Sequence, residues 1–433
     1  MAKKKDVIDK LGKELDRAQT FNPLLIALRE NDKKNLFTTN VNTAFIKTGF
    51  HLFDYYFGSV INIHDELGKI ISQEARVGQA AGTFNQIVGD SGAGKTTLAV
   101  QLAANIIRQY DNGNIIHYDL ENRFDISRAE VISRLPLRYF ENEGYVIRSG
   151  LVGLDIIQES ITKLYAKKMR LKEELKINTG FKDEFGKEVF MLAPTVVIID
   201  SITSVITTTF SPDSEKDIDK AGDLRSNTEG ARDAKTLKGV LKDIIPLCKE
   251  ANIIIYAINH LNVNMSMNAF VPVSKQHNYL KQDESIPGGK TLFYYSCNLI
   301  KLTAKPRDDF VEESDGFSGH MVMFEPVKSS TNQSGNNSKG ISFEMVFSFK
   351  HGFDPLRSLI VYGKEKGIIE GNKTRMKFKD EPSFSFSLKT LSQEVNEKPI
   401  WESIQKYIFP ELKTHLSFVE PSEINFDERS MMY

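Results

Sequence analysis

The 433-residue chain is 40% hydrophobic and 26% charged, a balance that excludes a disordered or fibrous protein and allows a sizeable buried core. A formal net charge of −1 excludes a chain that is basic all over, so a polyanion partner would be held by local clusters of cations. Two cysteines, Cys248 and Cys297, each within an apolar segment, exclude a disulfide or zinc framework and suit buried thiols in a reducing compartment. The basic Met1-Ala2-Lys3-Lys4-Lys5 leads into no apolar h-region, and no apolar run has spanning length, so the expectation is a cytoplasmic protein with no membrane partner.

In chain order, Val7, Ile8, Leu11, Leu15 and Ala18 form a narrow apolar stripe at helical spacing, ended by Phe21-Asn22-Pro23. The apolar patch Leu24 to Leu28 follows. On pattern alone, this segment either folds back on its own domain or docks on a neighbouring subunit. Residues 78 to 303 then alternate strand-like and helical segments. Strands are predicted at 84–88, 115–120, 145–148, 195–199, 253–258 and 298–302, with helices near 95–110, 125–135, 153–166 and 232–250. That alternation predicts an α/β fold with a parallel sheet covered on both faces. The highly charged stretch 167–187 reads as a surface insertion. Short alternating segments from Met321 to Phe349 flank the polar run Ser329 to Lys339, which suggests a hairpin or a long loop. Beyond residue 360 the pattern is a small α+β piece ending in a helix over 399–412.

The most specific signal is Gly89-Asp90-Ser91-Gly92-Ala93-Gly94-Lys95-Thr96, a complete phosphate-binding loop between a strand and a helix that opens with Thr96 and Thr97. Its glycines let backbone N–H groups wrap an anion at a positive helix end. Lys95 would neutralise β- and γ-phosphate oxygens, and the Thr96 hydroxyl would ligate Mg²⁺. The apolar strand Thr195 to Ile199 ends in Asp200, a Walker B pattern in which the acid holds the magnesium shell at the strands' C-terminal edge. A second strand delivers Asp119 and Glu121 to that edge. Glu121 is the candidate base that polarises the attacking water, because hydrolysis needs a carboxylate not committed to metal. Asn259 and His260 end a third strand, ahead of an irregular stretch too long for an ordinary connection. They are candidates for sensing the γ-phosphate and passing the signal onward.

Taken together, these residues resemble the RecA-type recombinases, in particular the phage UvsX-like branch. The likeness covers most of the chain. Thr48-Gly49-Phe50 with Phe53-Asp54 and Gly58 resembles the family's entry motif, and Tyr118 to Glu121 with Asp125 its catalytic-glutamate segment. Asn259-His260 is similar to the sensor of the phage branch. Pro287-Gly288-Gly289-Lys290 with Phe293 to Ser296 resembles the glycine pair and helix that close the second DNA-binding loop, and Leu359 to Ile369 the start of the C-terminal subdomain.

The resemblance implies a RecA-type P-loop ATPase core over 41–355, with a mainly parallel twisted sheet between helices. It adds an N-terminal protomer-docking helix within 1–40 and a small C-terminal α+β subdomain over 356–433. It implies an ATP- and Mg²⁺-dependent DNA recombinase, forming a helical filament on single-stranded DNA and exchanging strands with homologous duplex DNA. ATP would sit between protomers, in a bacterial or phage-infected cytoplasm, with a loading mediator and a single-strand binding protein as further partners. By the same resemblance, Asp125 and Arg128 meet adenine, Arg128 replacing an aromatic, and Lys328 or Lys339 reaches the neighbour's γ-phosphate. DNA loops map near 211–230 and 261–287. The stretch 58–79 is longer than the family norm, and 167–187 has no counterpart.

The residues of the second loop carry some physics of their own. Met265, Met267, Phe270 and Tyr279 offer wedges and a stacking ring, while Lys275, His277 and Lys281 offer cations. A lid folded on its own apolar residues is the alternative. The first loop is rich in acids, leaving Lys216, Lys220, Arg225 and Arg232 to contact phosphate. Lys364, Lys366, Lys373, Arg375, Lys377 and Lys379 make a basic surface suited to duplex capture, or simply a solvated face. Two other functions fit the core motifs: a hexameric helicase, against which the lack of a separate N-terminal collar domain counts, and a small-molecule kinase, against which the aromatic loop after Asn259 counts.

Overall fold

The computed structural model describes residues 44–64, 70–142, 144–150, 152–184, 186–205, 227–263, 280, 284–305, 311–312, 318–331 and 342–416. The N-terminal helix and patch, Arg225, Met265, Met267, Phe270, Lys275, His277, Tyr279, Lys281 and Lys339 lie outside the described residues, as does most of both expected DNA loops. Arg232 falls in the helix Asn227–Ala251.

A ten-stranded sheet organises the fold, in the order 352–354, 343–348, 318–329, 298–304, 84–89, 253–260, 195–200, 114–119 and 145–149, with 311–312 paired beside 318–329. The strands from 298–304 through 145–149 are mutually parallel, and those on the 318–354 flank are antiparallel. Apolar, β-branched runs make the central strands because both of their faces are covered. In the Thr195–Asp200 strand, Val196 and Ile198 point into one apolar cluster while Val197 and Ile199 point into another. The Ile253–His260 strand divides in the same way, with Ile254, Tyr256 and Ile258 facing the first cluster and Ile253, Ile255 and Ala257 the second. The Lys95–Ile107 helix fills the first side. The helices Leu154–Arg170 and Asn227–Ala251 pack together over the second. The molecule is therefore α/β, with a large, mostly parallel sheet between helices. Among the described residues, no helix is long and apolar enough to cross a membrane.

Register sets the functional edge. Thr195 pairs with Ile253 on one side and Asn114 on the other, which brings Asp200 level with Asp119 and His260 level with Gly89. The segments 318–329 and 343–348 form an antiparallel pair, so the hairpin reading of 321–349 is the one observed, and it extends the main sheet.

The charged stretch 167–187 departs from a simple surface insertion. Its helix runs on through Arg170, and a hairpin of Lys176–Lys182 with Glu188–Leu192 follows. Lys168 is buried: its ammonium donates to the Ala193 carbonyl at 2.6 Å, Thr195 Oγ1 at 3.1 Å and the Asn252 carbonyl at 3.3 Å. Burial pulls its pKa down to about 7. The longer 58–79 segment forms a second hairpin, Ser59–His64 with Ile70–Arg76. The two hairpins meet, with Arg76 Nη2 donating to the Lys182 carbonyl at 2.7 Å and His64 N to the Glu184 carbonyl at 3.0 Å.

At the C-terminal end, Asp354 caps the Pro355–Glu365 helix by accepting from Arg357 N at 2.9 Å. Leu359, Ile360 and Tyr362 of that helix join the same apolar cluster as the phosphate-loop helix. A three-stranded antiparallel sheet follows. The helix expected over 399–412 begins at Ile400 and ends at Lys413, with a π turn at Ile404–Ile408. Pro410 has no N–H to offer the turn before it, which explains the loosened ladder there.

Candidate functional site

The phosphate loop joins the buried Phe84–Gly89 strand to the Lys95–Ile107 helix. Gly94 is the helix N-cap at φ +83°, and a Cβ there would lie 2.8 Å from Phe347 Cε2. At Gly89 a Cβ would lie 2.2 Å from the Leu302 carbonyl oxygen of the adjoining strand. Only glycine fits either place. Gly92, at φ +79°, faces open space.

Lys95 is 6% exposed, and its ammonium donates to the carbonyls of Gly89 at 2.9 Å and Asp90 at 2.7 Å. Burial lowers its pKa, against the opposing pull of Asp200, Asp90 and Glu121. Thr96 Oγ1 donates to Asp200 Oδ2 at 2.5 Å. Burial pushes the Asp200 carboxyl up to about 6; the Thr96 hydrogen bond opposes the shift, and the carboxylates of Glu121 and Asp119 add to it. A hydroxyl and a carboxylate held together form an oxygen donor set that suits a hard divalent cation.

Glu121 sits two residues beyond the Asn114–Asp119 strand and is bound by the strand that ends in His260, since His260 Nε2 lies 2.5 Å from Glu121 Oε1. Arg123 Nη1 stands 3.6 Å from the other carboxylate oxygen. Burial alone would raise the Glu121 pKa, but the His260 hydrogen bond and charge, with Ser201 and Arg123, hold it below the ordinary range. The neighbouring Asn259 is fully buried. Its Oδ1 accepts from His260 N at 2.9 Å, and its Nδ2 donates to the Pro287 carbonyl at 3.0 Å. Asn259 thus ties the cavity to the segment just ahead of Gly288 and Gly289. Gly288, at φ +83°, caps the Gly289–Tyr295 helix.

The far wall begins where Asp119 Oδ2 accepts from Phe124 N at 2.8 Å, closing the turn after the strand. Asp125 then caps the Ile126–Ser133 helix by accepting from Arg128 N at 2.7 Å. Arg128 Nη1 crosses to the Phe349 carbonyl at 2.7 Å.

These groups enclose a cavity of about 460 Å³. Of the sequence candidates, Ser91, Gly92, Gly94, Lys95, Thr96, Thr97, Glu121, Asp125, Arg128, Asp200 and His260 line it. Gly89 and Asp90 serve through their carbonyls, and Ala93 is buried beneath. Lys328 is not among them. Near the end of its own strand it pairs with Leu299, at the sheet edge opposite the phosphate loop, and its ammonium donates to the carbonyls of Phe293 at 2.8 Å and Tyr294 at 3.1 Å. Four lining residues escape the sequence reading: Arg123, Phe124, Phe347 and Phe349. Phe347 arrives by the pairing of its strand with 318–329 and Phe349 by the turn that follows, and their alternation reads equally well as core.

Comparison with protein-family models gives no match, and no curated protein matches the chain.

Proposed function

We propose that this protein is an ATP-dependent DNA recombinase of the RecA type, working as a helical filament on single-stranded DNA in the cytoplasm. The observation that carries the reading is the chain of contacts from Glu121 through His260 and Asn259 to Pro287, because it links a hydrolytic carboxylate to the closing end of the second expected DNA loop. A kinase acting on a small molecule has no use for such a link.

On this reading, the phosphate loop and Lys95 bind the triphosphate, and Phe347 and Phe349 with Arg128 offer flat surfaces to the base. Thr96 and Asp200 would hold Mg²⁺, which when bound supplies charge neutralisation at the phosphate oxygens. Glu121, ionised at neutral pH, orients and polarises the water that attacks the γ-phosphate. His260 shares Glu121 between two states: paired to it as seen here, or turned toward a γ-phosphate. The second arrangement would shift Asn259 and Pro287, ordering the DNA loop, and hydrolysis would release it.

The test is the rate of ATP hydrolysis with and without single-stranded DNA over a salt series, with electron microscopy of the ATP-bound assembly. DNA-stimulated hydrolysis on helical filaments is expected. Closed rings would favour a helicase, and phosphoryl transfer to a metabolite without DNA stimulation would favour a kinase.

A further inference from the structure

Along the later turns of the phosphate-loop helix, beyond the first turn that lines the first cavity, a second cavity of about 420 Å³ is lined by Lys47, Arg108 and Arg134. No carboxylate lines it. Its walls are built. Asn105 Nδ2 donates to the Thr48 carbonyl at 2.7 Å, Gln109 Nε2 to the Lys47 carbonyl at 2.7 Å, and Gln101 Oε1 accepts from Phe353 N at 2.8 Å. Asn105 in the helix and Gln109 just past its end therefore fix the segment that carries Lys47, and Gln101 fixes the segment at Phe353.

Two of the cations terminate helices. Arg108 caps the Lys95–Ile107 helix, and Arg134 caps the Ile126–Ser133 helix in a left-handed conformation at φ 53°. Helix carbonyls account for only part of this charge. Arg108 uses Nε on the Ala104 carbonyl at 3.3 Å and Nη2 on the Ser133 carbonyl at 2.5 Å. Arg134 and Lys47 make no side-chain hydrogen bond or ion pair with a described residue. The like charges feel one another: burial first, and then Arg134, lowers the Arg108 pKa, while Lys47 adds to the burial that lowers that of His51.

A smaller cavity of about 280 Å³ adjoins it, sharing Gly49, Arg134 and Pro355, and is lined by His51, Trp401 and Asp354, whose carboxylate is paired with Arg357 Nη1 at 2.6 Å. The His51 ring lies 5.5 Å from Trp401 and 5.0 Å from Phe409. Grouped cations beside aromatic edges are what a phosphate-bearing ligand with an attached base requires.

We propose that the groove of Lys47, Arg108 and Arg134 is a second phosphate-recognition site, separate from the phosphate loop, that binds an oligophosphate anion. Such an anion comes either as a free nucleotide-type polyphosphate or as consecutive phosphates of a nucleic-acid strand. The site does not depend on how the phosphate loop is used.

The double variant Lys47→Gln/Arg134→Gln tests it, since both side chains are exposed and leave the packing intact. Two probes are used on the full chain with saturating Mg·ADP: inorganic tripolyphosphate by calorimetry, and labelled oligothymidylate by anisotropy over a salt series. A loss of about tenfold in tripolyphosphate affinity supports the site and assigns it to free polyphosphate. A loss confined to the oligonucleotide, with the salt slope falling by about 1.4, supports it and assigns it to a strand backbone. Unchanged affinity for both probes overturns the proposal. So does a charge-conserving Lys47→Arg/Arg134→Lys protein that binds as weakly as the neutral one.

Discussion

His260 Nε2 and Glu121 Oε1 meet at 2.5 Å although their strands are not neighbours: the strand that ends in Asp200 runs between them. The contact exists because the His260 strand runs two residues past the level of Asp200 and Glu121 lies two residues past Asp119, so the two side chains meet over the end of the intervening strand. The carboxylates of Glu121 and Asp200 and the His260 imidazole are thereby held in one place by sheet register.

Replacing Glu121 with Gln keeps the shape and the His260 contact but removes the carboxylate proposed as the base. Nucleotide affinity should hold while the hydrolysis rate falls by about 10² to 10⁴. Steady-state turnover with a parallel nucleotide-binding titration checks this, and unchanged turnover would remove Glu121 from its role.

Asn259→Ala leaves the Pro287 carbonyl without its buried donor. About 1 to 3 kcal/mol of local stability should go, expressed as faster amide exchange around residues 284–289. Hydrolysis without DNA should persist while its stimulation by single-stranded DNA is lost. Intact stimulation would separate Asn259 from the coupling.

Asp200 supplies a pH signature. Its folded pKa of about 6 is raised above the unfolded value of 3.8, so the folded state binds the extra proton between these values. Without magnesium, the contribution of this group should make the protein less stable as pH rises from about 4 to 6, and level above that. Asp200→Asn should abolish this slope and raise stability at pH 7 by on the order of 2 kcal/mol, while ending hydrolysis. Melting curves of both proteins across that range decide it.

Gly94 and Gly92 share a left-handed backbone but not their surroundings. Alanine at Gly92 should cost roughly 1 to 2 kcal/mol, the conformational term alone. Alanine at Gly94 must in addition displace Phe347, and should cost more than Gly92→Ala by about 1 to 3 kcal/mol. Equal losses in denaturant titrations would mean that the aromatic wall yields freely.

The phosphate loop was legible because its chemistry lies in one contiguous run, and the central strands because β-branched segments such as Val196 to Ile199 permit little else. Phe347 and Phe349 were hidden for the opposite reason. One is 2% exposed and the other 61%, and only the pairing of the 343–348 strand with 318–329, which places Phe347 and the turn carrying Phe349, decides that both border the phosphate-loop cavity. Lys168 lies in a charge run whose composition points to a solvated face, yet the sequence holds a hint of its burial: it continues the inward stripe of Leu154, Ile157 and Ile161. The contact of His260 with Glu121 depends on register between non-adjacent strands, which no local pattern encodes.

The paired hairpins carry a practical lesson for anyone trimming this chain. Arg76 is 3% exposed, its guanidinium lies 4.0 Å from the Phe181 ring centroid and 2.8 Å from Glu74 Oε1, and it donates to the Lys182 carbonyl. Excising the 176–192 hairpin alone would strip that guanidinium of its aromatic cover and its carbonyl acceptor, so a minimal version of the protein has to lose both appendages or keep both.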